Sequence, residues 1–174
     1  MSVISSFLAV LCSAVLLSLG IPNEYLHFGS ALFGIIALIP LYAAFCISPA
    51  RRRIAWMFGA LIALVHLFSS FWLAYFENFA IFTLGASTAA YVFLGFLFGH
   101  WFYYAMKLPL GLRPFAFACL WTLWEWFKGS GFVAYPWGSL SMTTLSLRPL
   151  IQIADITGGW GITALMALIS ALLA

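Results

Sequence analysis

The charged residues of this chain are spaced as a membrane would require. No Asp, Glu, Lys or Arg precedes Glu24, and none lies between Glu24 and Arg51, between Arg53 and Glu77, or between Glu77 and Lys107. Each gap holds the ~20 residues with which an apolar helix crosses the hydrocarbon core. Charged residues make up 6% of the 174 residues and apolar or aromatic ones 66%, where soluble domains carry roughly 25% and 45–50%. Four acids and seven bases cannot cover a water-facing surface. A soluble enzyme, a nucleic-acid binder and a disordered tail are therefore excluded. The expected fold is all-α, a polytopic integral membrane bundle of about six transmembrane or interfacial helices.

The apolar segments are expected over residues 3–21, 28–48, 54–76, 83–106, 110–127 and 157–174, in one transmembrane domain covering 1–174. Pro22-Asn23, Pro49, the turn from Gly111 to Pro114, and Gly129-Ser130-Gly131 separate them, each a local breaker of helix. The first segment has no basic flank and no Ala-x-Ala site, so an uncleaved span is expected rather than a signal peptide. Arg51-Arg52-Arg53 supplies most of the net charge of +3 and acts as a topology signal. With that cluster in the cytoplasm, the N-terminus is also cytoplasmic. Lys107 and Arg113 then fall on the same side, while Lys128 and Arg148 fall outside.

The outer stretch 128–156 is not a solvated loop. Gly129-Ser130-Gly131-Phe132-Val133-Ala134-Tyr135-Pro136-Trp137-Gly138 is apolar yet interrupted, and such backbone survives at membrane depth only under protein or beside a water-filled cavity. Two readings stand: an interfacial loop anchored by Tyr135 and Trp137, or one wall of a lipid-substrate site.

Glu125 is the least expected residue. It lies about 11 residues beyond Pro114, roughly 16 Å at the rise of a helix, and a charge at that depth is a functional hypothesis by default. Lys128 follows three residues later on the same face, so the two are expected to neutralise one another, with Lys128 reaching outward. Trp121 and Trp124 share a face and Trp126 points elsewhere; interfacial anchoring accounts for all three. Glu77 reads as a solvated helix end. His66 and His100 sit at different depths, roughly 18 and 9 Å from the inner ends of their segments. Buried, hydrogen-bonded histidines are expected there, with no haem, metal or other cofactor. Cys12, Cys46 and Cys119 fall in apolar runs and read as small core residues. Gly95-Phe96-Leu97-Phe98-Gly99 is a GxxxG step, which permits close helix packing.

The run Leu120-Trp121, Glu125, Lys128-Gly129, then Tyr135-Pro136-Trp137, then Arg148-Pro149-Leu150, Gly158 and Gly161-Ile162-Thr163-Ala164-Leu165 resembles the membrane domain of bacterial apolipoprotein N-acyltransferase. Pro22, the Gly34 to Pro40-Leu41 segment, and Gly59 ahead of Phe71-Trp72-Leu73 keep the family's order. The resemblance implies a multi-pass protein of the bacterial cytoplasmic membrane. Its partners would be membrane phospholipid and the diacylglyceryl-cysteine of a lipoprotein, which the family N-acylates as the last step of lipoprotein maturation. In the family a Glu-Lys-Cys triad on a nitrilase-like domain performs the transfer, and that domain has no counterpart in these residues. A truncated membrane domain, inactive alone, is therefore expected, with no catalytic residue of its own. Glu125, Lys128, Tyr135, Pro136 and Trp137 are its substrate-groove candidates, and a separate nitrilase-like domain a possible partner. A non-enzymatic scaffold recruiting a catalytic subunit, or a small transporter built on Glu125 and Lys128, are the alternatives. The last segment lacks a polar flank and is expected to be loosely held.

Overall fold

A computed structural model describes residues 2–48, 50–75, 80–131 and 134–174. Pro49, Glu77 and the loop residues Phe132 and Val133 lie outside the described residues. Among the described residues the architecture is all-helical, with no strand.

Helix α1 (Val3–Gly20) opens on a Ser2 cap, whose hydroxyl accepts from the Ser5 amide at 3.1 Å. It stops before Pro22. The second apolar segment is not one continuous helix: α2 (Ala31–Ala37) and α3 (Ile39–Ile47) meet at Leu38. Pro40 has no N–H for the Ile36 carbonyl, so the regular ladder breaks there. Helix α4 (Arg51–Ser69) runs into a 3-10 turn over Phe71–Tyr75, and α5 spans Ala80–Ala105. Helix α6 (Arg113–Gly129) starts with Pro114 in its first turn, where a missing N–H costs nothing. The outer stretch folds as a 3-10 turn, Leu140–Thr144, and a short helix α7, Arg148–Ile151. Helix α8 (Ala154–Leu173) is kinked at Gly158, whose φ of 66° is left-handed, a conformation open to glycine without strain.

By length and composition, α1, α4, the Phe82–Ala105 part of α5 and α8 are each able to cross a membrane. Their outward faces are apolar, with Phe82 78% and Trp101 61% exposed. In water such a surface would aggregate; in lipid it is the solvated face.

Helices α4 and α5 are antiparallel and share the most extensive interface in the bundle. Glycines bring the two backbones together. A Cβ on Gly95 would lie 2.9 Å from the Gly59 Cα, and one on Gly99 would lie 2.7 Å from the Ala55 Cα. This is the close approach that small residues allow between membrane helices. Helices α1 and α6 flank the pair, and α8 packs on α6. The core they share is aromatic. Phe58 meets Phe102 at 4.7 Å, and Trp121 and Trp124 edge-on at 5.9 and 5.4 Å between ring centroids.

Three expectations are corrected here. Trp121 and Trp124 are not interfacial anchors: both are buried, because they point toward Phe58 rather than outward. Cys12 and Cys119 are exposed and only Cys46 is partly buried, so two of the three thiols face outward, where a weakly polar sulfur suits lipid. Nor is α8 loosely held. Ile162, Met166, Ala167 and Ala171 are buried, and the Ser170 hydroxyl donates to the Ile35 carbonyl on α2.

The bundle has two unlike ends. At one, Arg51 reaches His100 and the Tyr104 ring, and Lys107 and Arg113 gather beside the end of α3. The other holds the end of α4, the end of α6, the outer stretch and the start of α8. Arg51, Arg52, Arg53, Lys107 and Arg113 mark the first end. Glu125 and Asp155 belong to the second, as does Glu24, which follows α1 there.

Candidate lipid-facing site

Glu125 is 1% exposed, yet its carboxylate is fully engaged. One oxygen accepts the Trp121 indole N–H at 3.1 Å and the Leu140 backbone N–H at 2.7 Å. The other accepts the Thr163 hydroxyl at 2.7 Å. Trp121 lies one turn before Glu125 on α6, Leu140 opens the outer 3-10 turn, and Thr163 is on α8. Glu125 therefore joins three parts of the chain at one point, and a buried carboxylate is tolerable only when so satisfied.

The expected direct pairing of Glu125 with Lys128 is not made. The Lys128 ammonium instead donates to the Trp137 carbonyl at 3.0 Å, and both residues line a small cavity of about 20 Å³ together with His66 and Ser69. The reason is competition: each carboxylate oxygen is already held by neutral donors that are closer and well placed. Helical spacing put both residues on one face but did not fix what either would meet.

The outer stretch is tied to the end of α4 by its aromatic residues. The Tyr135 hydroxyl bonds Ser70 at 2.9 Å, and the Trp137 indole N–H donates to the Ser69 carbonyl at 2.9 Å. The Tyr135 amide donates to the Lys128 carbonyl at 2.9 Å, and the Ser139 hydroxyl to the Pro136 carbonyl at 2.5 Å. Burial pushes the Tyr135 phenol above its ordinary pKa, with the hydrogen bond to Ser70 acting the other way. It stays protonated and able to donate. Gly138, with φ of 80°, turns the chain between Trp137 and Ser139 in a left-handed conformation.

Beneath this loop a cleft of about 690 Å³ opens between α4, α5 and α6, a volume typical of small-molecule sites. Tyr91, Trp124, Trp126 and Phe127 wall it with aromatic rings, and Lys128 and Tyr135 rim it. Across its side, His66 Nε2 and Ser87 Oγ lie 2.7 Å apart, and the His66 ring meets Tyr91 at 4.6 Å and Tyr135 edge-on at 5.6 Å. His66 is buried and hydrogen-bonded; His100, half-buried near the other end of α5, accepts from Arg51 Nε at 3.1 Å.

The candidate residues thus divide. Lys128 and Tyr135 face the cleft, Glu125 and Trp137 hold its surroundings in place, and Pro136 is exposed between them. His66, Ser87 and Tyr91 also line it, and Ser87 is a lining residue that spacing alone does not mark. The signal for it is the hydroxyl cluster Thr83, Ser87 and Thr88 inside an apolar segment.

A helical membrane protein with an aromatic cleft at one end is the class this geometry defines. The family model for the apolipoprotein N-acyltransferase N-terminal domain matches residues 13–172, and the chain belongs to the apolipoprotein N-acyltransferase family. It is 49% identical to apolipoprotein N-acyltransferase 2 of Treponema denticola over 97% of its own length and 32% of the relative's. It is 51% identical to apolipoprotein N-acyltransferase 2 of Treponema pallidum over 93% of this chain and 29% of that one. The Borreliella burgdorferi apolipoprotein N-acyltransferase is 29% identical over 84% of this chain and 28% of its own. The chain spans about a third of the length of the curated relatives it matches. No solved structure matches it.

Proposed function

We propose that these residues form the membrane platform of an apolipoprotein N-acyltransferase, one that holds lipid chains while an acyl group passes from phospholipid to the N-terminal diacylglyceryl-cysteine of a lipoprotein. The observation that carries this reading is the aromatic cleft of about 690 Å³ at the bundle end, with a lysine and a tyrosine at its rim. An acyl chain suits the rings, and Lys128 and Tyr135 suit the polar ester region above it. Holding two lipid-anchored reactants in register can lower a bimolecular barrier by up to ~7–11 kcal/mol in well-oriented systems.

The transfer chemistry itself belongs to residues outside these 174, supplied by the same polypeptide or by a separate nitrilase-like domain. Cys12 and Cys119 face outward from the bundle, and Cys46 contacts Met106 at 3.7 Å. The gathering of Lys107 and Arg113 at the same end of the bundle as Arg51–Arg53 supports a cytoplasmic N-terminus in a bacterial inner membrane as part of this reading.

Filling the cleft tests the reading. Ala90 lines it and is exposed, so Ala90→Trp adds bulk without disturbing the core. In the full-length protein, acyl transfer from phosphatidylethanolamine to a diacylglyceryl-cysteine peptide should fall about tenfold while the melting temperature holds. Unchanged transfer with the cleft filled overturns the assignment.

A further inference from the structure

The basic end of the bundle holds a second cavity, separate from the cleft and of a different chemistry. It measures about 270 Å³ and lies where α3 and α5 end and α6 begins, lined by Ser48, Tyr103, Lys107 and Arg113 with Cys46 and Met106 among its apolar residues. We propose that this cavity binds a phosphate ester, the headgroup phosphate of a phospholipid in the adjoining leaflet.

Three observations converge on it. The first is charge: Lys107 and Arg113 line the cavity, and Arg51–Arg53 stand at the same end. Among the described residues no acid lines the cavity, and Glu24, Glu125 and Asp155 belong to the opposite end. A phosphate in the cavity would supply a counter-charge to Lys107 and Arg113. The second is an orphan hydroxyl. Ser48 is 7% exposed, and among the described residues its Oγ meets no hydrogen-bond partner. A buried hydroxyl left so costs free energy, which a ligand oxygen would recover once the Ser48 side chain turns into the cavity it lines.

The third is preorganisation. Arg113 Nε donates to the Leu108 carbonyl at 2.8 Å, which holds the guanidinium and leaves its terminal nitrogens for a planar, two-pronged contact with phosphate oxygens. The Lys107 ammonium lies 5.0 Å from the Tyr103 ring centroid, fixed by the ring face. Arg113 is also the first residue of α6, where the helix dipole favours an anion. At about 270 Å³ the cavity falls just below the range of drug-sized sites, which suits a headgroup rather than a whole lipid. Exposed Ile47 carries its apolar side out to the lipid-facing surface. None of these features depends on acyl transfer at the opposite end.

The test uses the full native chain in neutral detergent, with melting temperature and native mass spectrometry as readouts. Phosphatidylglycerol should bind and raise the melting temperature, and diacylglycerol, which lacks the phosphate, should not. Ser48→Ala and Lys107→Gln should each weaken phosphatidylglycerol binding about tenfold, the loss of one hydrogen bond to a charged group. Ser48→Ala should not lower the lipid-free melting temperature, because its hydroxyl has no partner to lose and its burial is a cost. Arg52, exposed outside the cavity, is the control, and Arg52→Gln should bind as the native protein does. Displacement of the lipid by inorganic phosphate would support the phosphate site with a soluble ligand as its source; resistance to it supports the lipid. The proposal is overturned if diacylglycerol binds equally well, if Ser48→Ala and Lys107→Gln bind normally, or if Arg52→Gln weakens binding as much as they do.

Discussion

Removing the Glu125 carboxylate should unfasten the outer stretch from two helices at once. In Glu125→Ala, three buried donors lose their acceptor: the Trp121 indole N–H, the Leu140 amide and the Thr163 hydroxyl. The threonine can turn to a carbonyl one turn back on α8, but the other two are fixed by ring and backbone. Each orphaned donor costs ~1–3 kcal/mol, so the loss is about 2–6 kcal/mol, a drop in melting temperature on the order of 10 °C for a chain of this size. Glu125→Gln keeps the shape. Its amide oxygen can serve Trp121 and Leu140, its NH₂ can donate to Thr163, and the cost of burying a charge is relieved. It should melt within a few degrees of the native protein. Thr163→Val should fall between them, at ~1.5–3 kcal/mol for one hydrogen bond to a charged group. Thermal unfolding in detergent, followed by tryptophan emission, ranks the three. If Glu125→Ala melts with the native protein, the carboxylate fastens nothing; if Gln is as harmful as Ala, charge rather than hydrogen bonding holds the loop. Either result refutes the reasoning.

Trp124→Ala should cost ~3–5 kcal/mol, as for other buried aromatic residues, whereas Trp126→Ala should leave melting nearly unchanged and act instead on lipid binding in the cleft. Gly95→Ala should destabilise by ~1–3 kcal/mol, because its Cβ would meet the Gly59 backbone at 2.9 Å; Gly85→Ala, with nothing within 4 Å, should be neutral or stabilising in the same melts. Tyr135→Phe should cost about 1 kcal/mol for the bond to Ser70. Because the Tyr135 pKa is raised, that contribution is fully present below the phenol's ordinary value of about 10 and is lost only as pH rises through the higher one. The difference between native and Tyr135→Phe melts should therefore be constant between roughly pH 6 and 9.

Residue type and spacing carried much of this structure. Three of the four long charge-free gaps hold a helix able to cross lipid, the gap after Glu24 being broken at Leu38, and the Gly95–Gly99 step marks the face where α4 and α5 close. What stayed hidden depends on three-dimensional neighbours. The i, i+3 spacing of Glu125 and Lys128 promised an ion pair, but Leu140 and Thr163, 15 and 38 residues further along the chain, reached the carboxylate first. Tryptophans read as interfacial by their composition-level habit became core residues because Phe58 faces them. Inside a membrane both faces of a helix are apolar, so the contrast that reveals the buried face of a soluble helix is absent. That is why the cleft was legible through its loop residues but not through Ser87 and Tyr91.

The cleft follows from the same helix pair that makes the tightest interface. At Gly59 and Gly95 the backbones of α4 and α5 touch, since a single added Cβ would clash with the facing main chain. Two turns toward the other end, at His66 and Ser87, an imidazole is needed to bridge them. The gap has widened from main chain against main chain to the length of a histidine side chain over about 12 Å of helix. Helices that cross at one close point must diverge away from it. The divergence is left open rather than packed, because α5 presents Ala90 to it, a residue too small to fill it. Aromatic side chains from α6 line the gap instead of closing it, and the loop over it is held at fixed points by Glu125, Ser69 and Ser70. A larger residue at Gly59 or Gly95 would move the point of divergence and so reshape the cleft from a distance. Glycine at the seam and alanine at the mouth are therefore one device, read at two places along the same pair of helices.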